Sequence, residues 1–197
     1  VIDYVIRARK APTDPVRFLG QAGQEAHTEY LSQILVNGLL ISQGHRDDVR
    51  LSFVLEASAD FSRVITFDGS ALGSLDDWSE AGILQLFARC LQVSVGAAKS
   101  ECREVLPGLT VTAASVEEFL KSFAGRQIYL MDRKGVDIRA AALEQDAVFV
   151  LTDHIPMPTK QAKSLVNRGA KPISLGRTML HASQCVVLIQ HEYDRMG

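Results

Sequence analysis

The strongest constraint on the fold is an alternation. Short β-type apolar runs are followed, again and again, by segments with apolar residues at helical spacing. "IDYVIRAR" near the N-terminus alternates well enough for a first strand, and "APTDP" breaks it. Residues 24–42 carry Ala26, Tyr30, Ile34, Leu35 and Leu39 on one helical face. Two apolar-rich strands, 49–57 and 62–69, are joined by the short "SADF" turn, so a hairpin interrupts any purely parallel sheet. A helix then follows from "GSLDDWSEAGILQLFARCLQ", with Ile83, Leu86, Phe87, Cys90 and Leu91 aligned. "LTVTA" predicts a short strand, and "SVEE" has the capping-box spacing that opens the next helix. Three further strands are predicted at "QIYLM", "AVFVL" and "KPISL", the second and third separated by the helix "TKQAKSLVN", which Gly169 closes. Ala182, Cys185, Val186, Ile189 and Tyr193 mark one stripe of a terminal helix. This order predicts an α/β domain with a mainly parallel sheet and helices on both faces.

The chain of 197 residues suits a single domain, 1–197, large enough to bury a core without disulfides. Its three cysteines, Cys90, Cys102 and Cys185, form no CxxC pair, which fits a reducing, cytoplasmic setting. No apolar run reaches the roughly 20 residues of a membrane span, and the charged N-terminal stretch does not read as a signal peptide. The formal net charge is −2, but it is unevenly spread. From His154 to His191 there is no acidic residue, while Lys160, Lys163, Arg168, Lys171 and Arg177 all fall there. One basic face is therefore compatible with a phosphate backbone, as it is with solvated helix faces.

In open α/β sheets ligands sit beyond the carboxyl ends of the strands. Three such ends stand out here: "YLMDRKG", "VLTDHIPMP" and "ISLGRTML". No GxGxxG follows the first strand, no GxxxxGK[ST] is present, and HExxH, GxSxG and metal-spaced Cys/His clusters are absent. Nucleotide hydrolysis, dinucleotide redox chemistry, serine hydrolysis and a metal site all lose support.

Four segments, "AGQEAHTEYL", "HRDDVRLSFVLE", "VFVLTDHIPMP" and "ISLGRTMLHASQCVVLI", together resemble the TrmY branch of the SPOUT methyltransferases, the tRNA pseudouridine N1-methyltransferases and their bacterial relatives. The resemblance runs from Ile6 to Tyr193. It implies a SPOUT-type fold with a C-terminal trefoil knot in roughly 125–197, a homodimer, S-adenosyl-L-methionine as cofactor and RNA, tRNA first, as substrate. Carried over by position, the cofactor contacts would be Leu130 and Met131 after the first of the three strands. Thr152, Asp153 and His154 would follow the second, where the family shows Gly-Asp-His-Ile-Gly and both glycines are replaced here. Ser174, Leu175, Gly176, Met179 and Leu180 would follow the third, with Cys185 on the last helix. Leu130, Leu175 and Leu180 have the character of apolar walls, and Gly176 permits close approach.

Methyl transfer to N1 of a pseudouridine needs a proton acceptor and a cation near the base. The resemblance points to "HRDDV" for these, with Asp48 as acceptor or orienter and Arg46 as RNA contact. Each residue also has a plainer role open to it. Cys185 fits a core stripe, Asp153 a helix cap, Asp47 and Asp48 a turn, Arg46 a surface charge, and His154 and His181 structural positions. Two rival functions stay in view: a SPOUT module that binds RNA or cofactor without methyl transfer, and a methyltransferase of ribosomal RNA.

Overall fold

The computed structural model describes residues 1–196. Ten strands form: β1 Ile2–Pro12, β2 Leu40–Ile41, β3 Gly44–His45, β4 Val49–Ala57, β5 Arg63–Asp68, β6 Cys102–Leu106, β7 Leu109–Ala113, β8 Ile128–Asp137, β9 Val148–Thr152 and β10 Lys171–Ser174. The helices are α1 Pro15–Leu19, α2 Glu29–Leu39, α3 Glu80–Val93, α4 Val116–Lys121, α5 Thr159–Asn167 and α6 Ala182–Met196. Eight strands make one sheet in the order β10-β8-β9-β1-β4-β5-β7-β6, while β2 and β3 pair separately. The first five in that order run parallel, and β5, β7 and β6 close the other side antiparallel. The architecture is the expected one: a mainly parallel sheet with helices on both faces.

Alternation along β1 divides the core. Tyr4, Ile6 and Ala8 point to one side, with Phe53, Phe67 and Phe149, and pack against apolar residues of α2, α3 and α6. Val5 points to the other with Val54, Val64, Val148 and Val150, under Leu120 of α4 and Leu165 of α5. Each fully buried aliphatic or aromatic side chain contributes about 1.5–3 kcal/mol relative to exposure. The charges on the central strand are paired. Arg7 is 2% exposed and bonds Glu56 and Gln161 at 2.8 Å each. Asp3 accepts from Arg126 at 2.7 Å. Leaving either charge alone at such burial would be costly.

Two local expectations differ from the structure. The helix read over 24–42 begins only at Glu29, and residues 20–28 turn on themselves before it. The "DRKG" turn does not end its strand. Residues 131–135 bulge out, and Val136 and Asp137 then pair with Ile173 and Ser174 of β10. Gly135 lies so close to that strand that an added Cβ would stand 2.4 Å from the Ile173 nitrogen.

α2 and α6 lie side by side, and Gln190 donates to the Gly38 carbonyl at 2.7 Å in the buried seam between them. α6 thus runs from the loop after β10 back toward the starting ends of the parallel strands, where its Asp194 meets Arg46. Among the described residues, no helix is long and apolar enough to cross a membrane.

Candidate active site at the strand ends

The parallel strands end together. Arg7 of β1 is level with Thr152 of β9, and Ser174 of β10 with Asp137 of β8. The segments after β8, β9 and β10 therefore leave the sheet along one edge, where an open α/β sheet takes its ligands. This gathers most of the positions expected from the sequence.

The loop after β10 is built by a short cycle. Ser174 Oγ accepts from the Gly176 N–H at 3.1 Å and donates to the Gly176 carbonyl at 3.2 Å. Gly176 has φ +118°, in the region that favours glycine, and nothing lies within 4 Å of where a Cβ would stand. Met179 is 73% exposed beyond it, while Leu175 and Leu180 are half-buried.

The loop after β9 holds the most unusual group. Asp153 is anchored by its N–H to the Arg7 carbonyl, and its Oδ1 accepts from Ile155 N–H at 3.0 Å. Its side chain is 1% exposed, yet Oδ2 has no hydrogen-bond partner. The His154 Nδ1 stands 3.4 Å away, but neither atom makes a hydrogen bond. Burial pushes the Asp153 carboxyl above its usual range, against the Ile155 N–H and His154, which pull it down. Asp153 does not cap the next helix: α5 starts at Thr159 behind Pro158. A buried carboxylate with an unused oxygen suits a cationic ligand, so these residues fit a cofactor that carries a sulfonium and an ammonium group.

Other expected positions behave differently. The Leu130 side chain is buried in the valine cluster under α4 and α5, so the strand end offers the loop its backbone and not an apolar wall. Met131 packs partly against the opposite, larger core. Cys185 is half-buried on the first turn of α6, and burial pushes its thiol up to about 11. Burial thus disfavours the thiolate that a nucleophile requires.

Arg46 and Asp48 do not join this edge. Asp48 accepts from the Ile2 N–H at the other end of β1. That end lies roughly 16 Å below the level of Arg7 at about 3.3 Å per residue. Arg46 is held there by Asp194 of α6, at 3.0 Å through Nη1, and by Asp48 at 3.5 Å. Within one chain the expected catalytic pair and the three loops are apart.

What the sequence does not reveal is the company at the loop edge. His154 from the β9 loop and His181 from the segment before α6 meet His27 and Tyr30 at the start of α2. The His27 and His154 rings are 5.0 Å apart, and Tyr30 is 5.6 Å from both His154 and His181. His154 Nε2 also reaches the Glu25 carbonyl at 3.2 Å. Only the segment "AGQEAHTEYL", with its histidine two residues before a glutamate, hinted at this. A cleft of about 240 Å³ between α4 and α5, lined by Phe123, Arg126 and Arg168, opens at the far end of β8 and is separate from this edge.

A mainly parallel α/β sheet whose three adjacent strands β10, β8 and β9 end together is the fold to which the comparisons point. The crystal structure of Archaeoglobus fulgidus Nep1 bound to S-adenosylhomocysteine superposes with a TM-score of 0.63, covering 98% of this chain and 97% of that one at 13% identity. That likeness is one of fold. A family model described as "Putative SAM-dependent RNA methyltransferase" matches residues 1–197, and the chain belongs to this family. Proteins named "Putative pseudouridine methyltransferase" are 45% identical in Vibrio atlanticus, over 98% of both chains, and 46% identical in Photobacterium profundum, over 97% of both. One from Shewanella frigidimarina is 44% identical over 97% of each.

Proposed function

We propose that this protein is a cytoplasmic S-adenosylmethionine-dependent methyltransferase that methylates N1 of a pseudouridine in RNA, tRNA being the first candidate, and that it works as a homodimer. The observation that carries the reading is the loop edge itself: Asp153 Oδ2, buried and unpartnered, after β9, and the positive-φ turn at Gly176 after β10. Full-length similarity to relatives of that name supports the base.

The cofactor, when bound, supplies an activated methyl group. The chain's own residues do the rest. Asp153 offers a carboxylate to positive charge, and its desolvated setting makes that attraction stronger than it would be in water. Gly176 lets the backbone approach closely. Leu175 and Leu180 supply apolar surface next to it. Exposed Lys160 and Arg177 lie beside the same loops and, with Lys163 one turn further along α5, suit a phosphate backbone.

A knot in the 125–197 region is part of this reading. It is supported by the bulge at 131–135, whose Gly135 is pressed on the β10 backbone, and by α6 passing back along the sheet to place Tyr193 Oη 2.6 Å from the Glu144 carbonyl. The homodimer is supported by Val187, Leu188 and Met196, which leave apolar surface exposed on α6. The roles read for Arg46 and Asp48 are served only if a second copy brings them to the loops.

Two measurements test the function. Calorimetric titration should show S-adenosylmethionine binding to the purified protein; no binding would remove the enzyme and leave an RNA-binding module. Mass spectrometry of RNA nucleosides should show a methylated pseudouridine that disappears in a deletion strain. An unchanged tRNA profile with a lost ribosomal RNA product would move the substrate to the ribosome.

A further inference from the structure

The imidazole cluster at the loop edge has a working part. His27 Nδ1 lies 2.8 Å from Glu29 Oε1. The other carboxylate oxygen of Glu29 accepts from the Gly23 N–H, also at 2.8 Å. The Glu29 side chain is 15% exposed and His27 37%. Burial works against a charge on Glu29, but the Gly23 N–H and the His27 ring together hold its carboxyl below the usual range. An ionised carboxylate only accepts, so in the neutral ring Nδ1 carries the hydrogen and Nε2 the lone pair. Nε2 has no hydrogen bond to any described residue.

The backbone is arranged to produce this pair. Residues two apart on a helix do not face each other. His27 sits just before α2 with φ +46°, one of two non-glycine residues with positive φ among those described. The turn that carries it is pinned by the Ala26 N–H to Gln21 and by buried Thr28 Oγ1 to the Phe18 carbonyl. An uncommon backbone held this firmly is a frequent mark of a functional site. His27 also meets the β9 loop through His154, the neighbour of Asp153, with the two rings 5.0 Å apart. Among the described residues no three His, Cys, Asp or Glu side chains are grouped as metal ligands, which leaves an oriented imidazole base as the reading of the dyad.

We infer that His27, oriented by Glu29, accepts the N1 proton of the target base. This rests on the pseudouridine reading above and replaces Asp48 in the role that the sequence suggested for it. The step balances. The N1–H proton passes to His27 Nε2 as the N1 lone pair forms a bond to the methyl carbon. The carbon–sulfur bond breaks with its electron pair staying on sulfur, which becomes a neutral thioether. The imidazolium then returns its proton to solvent. A positioned base of this kind is worth about 10²–10⁴ in rate.

The test uses His27→Gly, which tolerates the positive φ and leaves a space the size of the ring. On RNA from a strain deleted for the protein, kcat should fall about 100-fold or more, with KM for RNA and calorimetric affinity for S-adenosylmethionine within about twofold of wild type. Added imidazole should restore at least about a tenth of the lost rate. Glu29→Gln should also lower kcat. In the apoprotein, nitrogen NMR of the ring should show the Nδ1–H tautomer in wild type and a mixture in that variant, a readout that needs no catalysis. Full kcat in His27→Gly, or a loss that imidazole does not repair while Glu29→Gln is unaffected, would overturn the assignment. So would loss of the reaction in Asp48→Ala with His27→Gly active. Failure of the substrate reading is separate: the wild type itself would then methylate no pseudouridine.

Discussion

Gly135→Ala is expected to cost the protein about 4 kcal/mol or more and to leave little folded material at 37 °C. The contacts are with backbone, which cannot rotate away: the new Cβ would meet the Ile173 nitrogen at 2.4 Å and the Pro172 carbonyl carbon at 2.5 Å. Relief requires β8 and β10 to separate at Val136–Ile173 and Asp137–Ser174. Those pairings hold Ser174, and Ser174 shapes the turn at Gly176, so the damage reaches the proposed cofactor loop. Chemical denaturation followed by circular dichroism measures it. A midpoint within about 1 kcal/mol of wild type would show that the bulge has slack which the packing does not suggest.

Asp153→Asn should move two measurements in opposite directions. Burial raises the carboxyl's folded pKa above its unfolded value, so this group's stabilisation is full below about pH 3.9 and is lost as pH rises through the folded value. At pH 7 an ionised Asp153 with one oxygen unpartnered is therefore a burden on the apoprotein. Asparagine keeps an oxygen for the Ile155 N–H and removes the charge. The apoprotein variant should melt about 2–4 °C higher at pH 7, equivalent to about 1 kcal/mol in a chain of this size, and that advantage should shrink toward pH 4. Affinity for S-adenosylmethionine should instead fall about 10–100-fold, the size of a lost charge-assisted contact. Scanning and titration calorimetry give the two numbers. Unchanged affinity would reduce Asp153 to a turn residue.

How far the sequence foretold this depends on the range of the contacts involved. The parallel strands announce themselves because they are buried on both faces and read as apolar runs. β6 went unread, since "CREVL" is a short edge strand with no fully buried side chain, and only its pairing with β7 makes it a strand. The continuation of β8 past "DRKG" is likewise invisible locally, being fixed by β10 about 37 residues later. At the site, Asp153 and Gly176 were marked by their place at strand ends. His27 was not, because its meaning comes from a left-handed backbone and from His154, 127 positions away along the chain. The separation of Arg46 from the loops within one chain was hidden for the same reason: its partner Asp194 is 148 residues on and ties it to the opposite ends of the strands.

The helix between the last two strands has a further consequence. α5 buries none of its residues, has no side-chain cap at its start, and is tied to the sheet chiefly by Gln161 on Arg7 and by the partly buried Ala162 and Leu165. α2, α3 and α6 each sink at least four residues into the core. The free energy of opening a segment locally follows its buried contacts, so α5 is the first of the four to exchange its amide hydrogens with solvent. Its first turn follows the β9 loop directly, while its last turn leads into the start of β10 at the opposite end of the strands. A ligand that fixes the β9 loop limits the start of α5, and the ordering this demands is drawn from the binding energy. Affinity for the ligand and slow exchange in α5 are in this way two faces of one equilibrium.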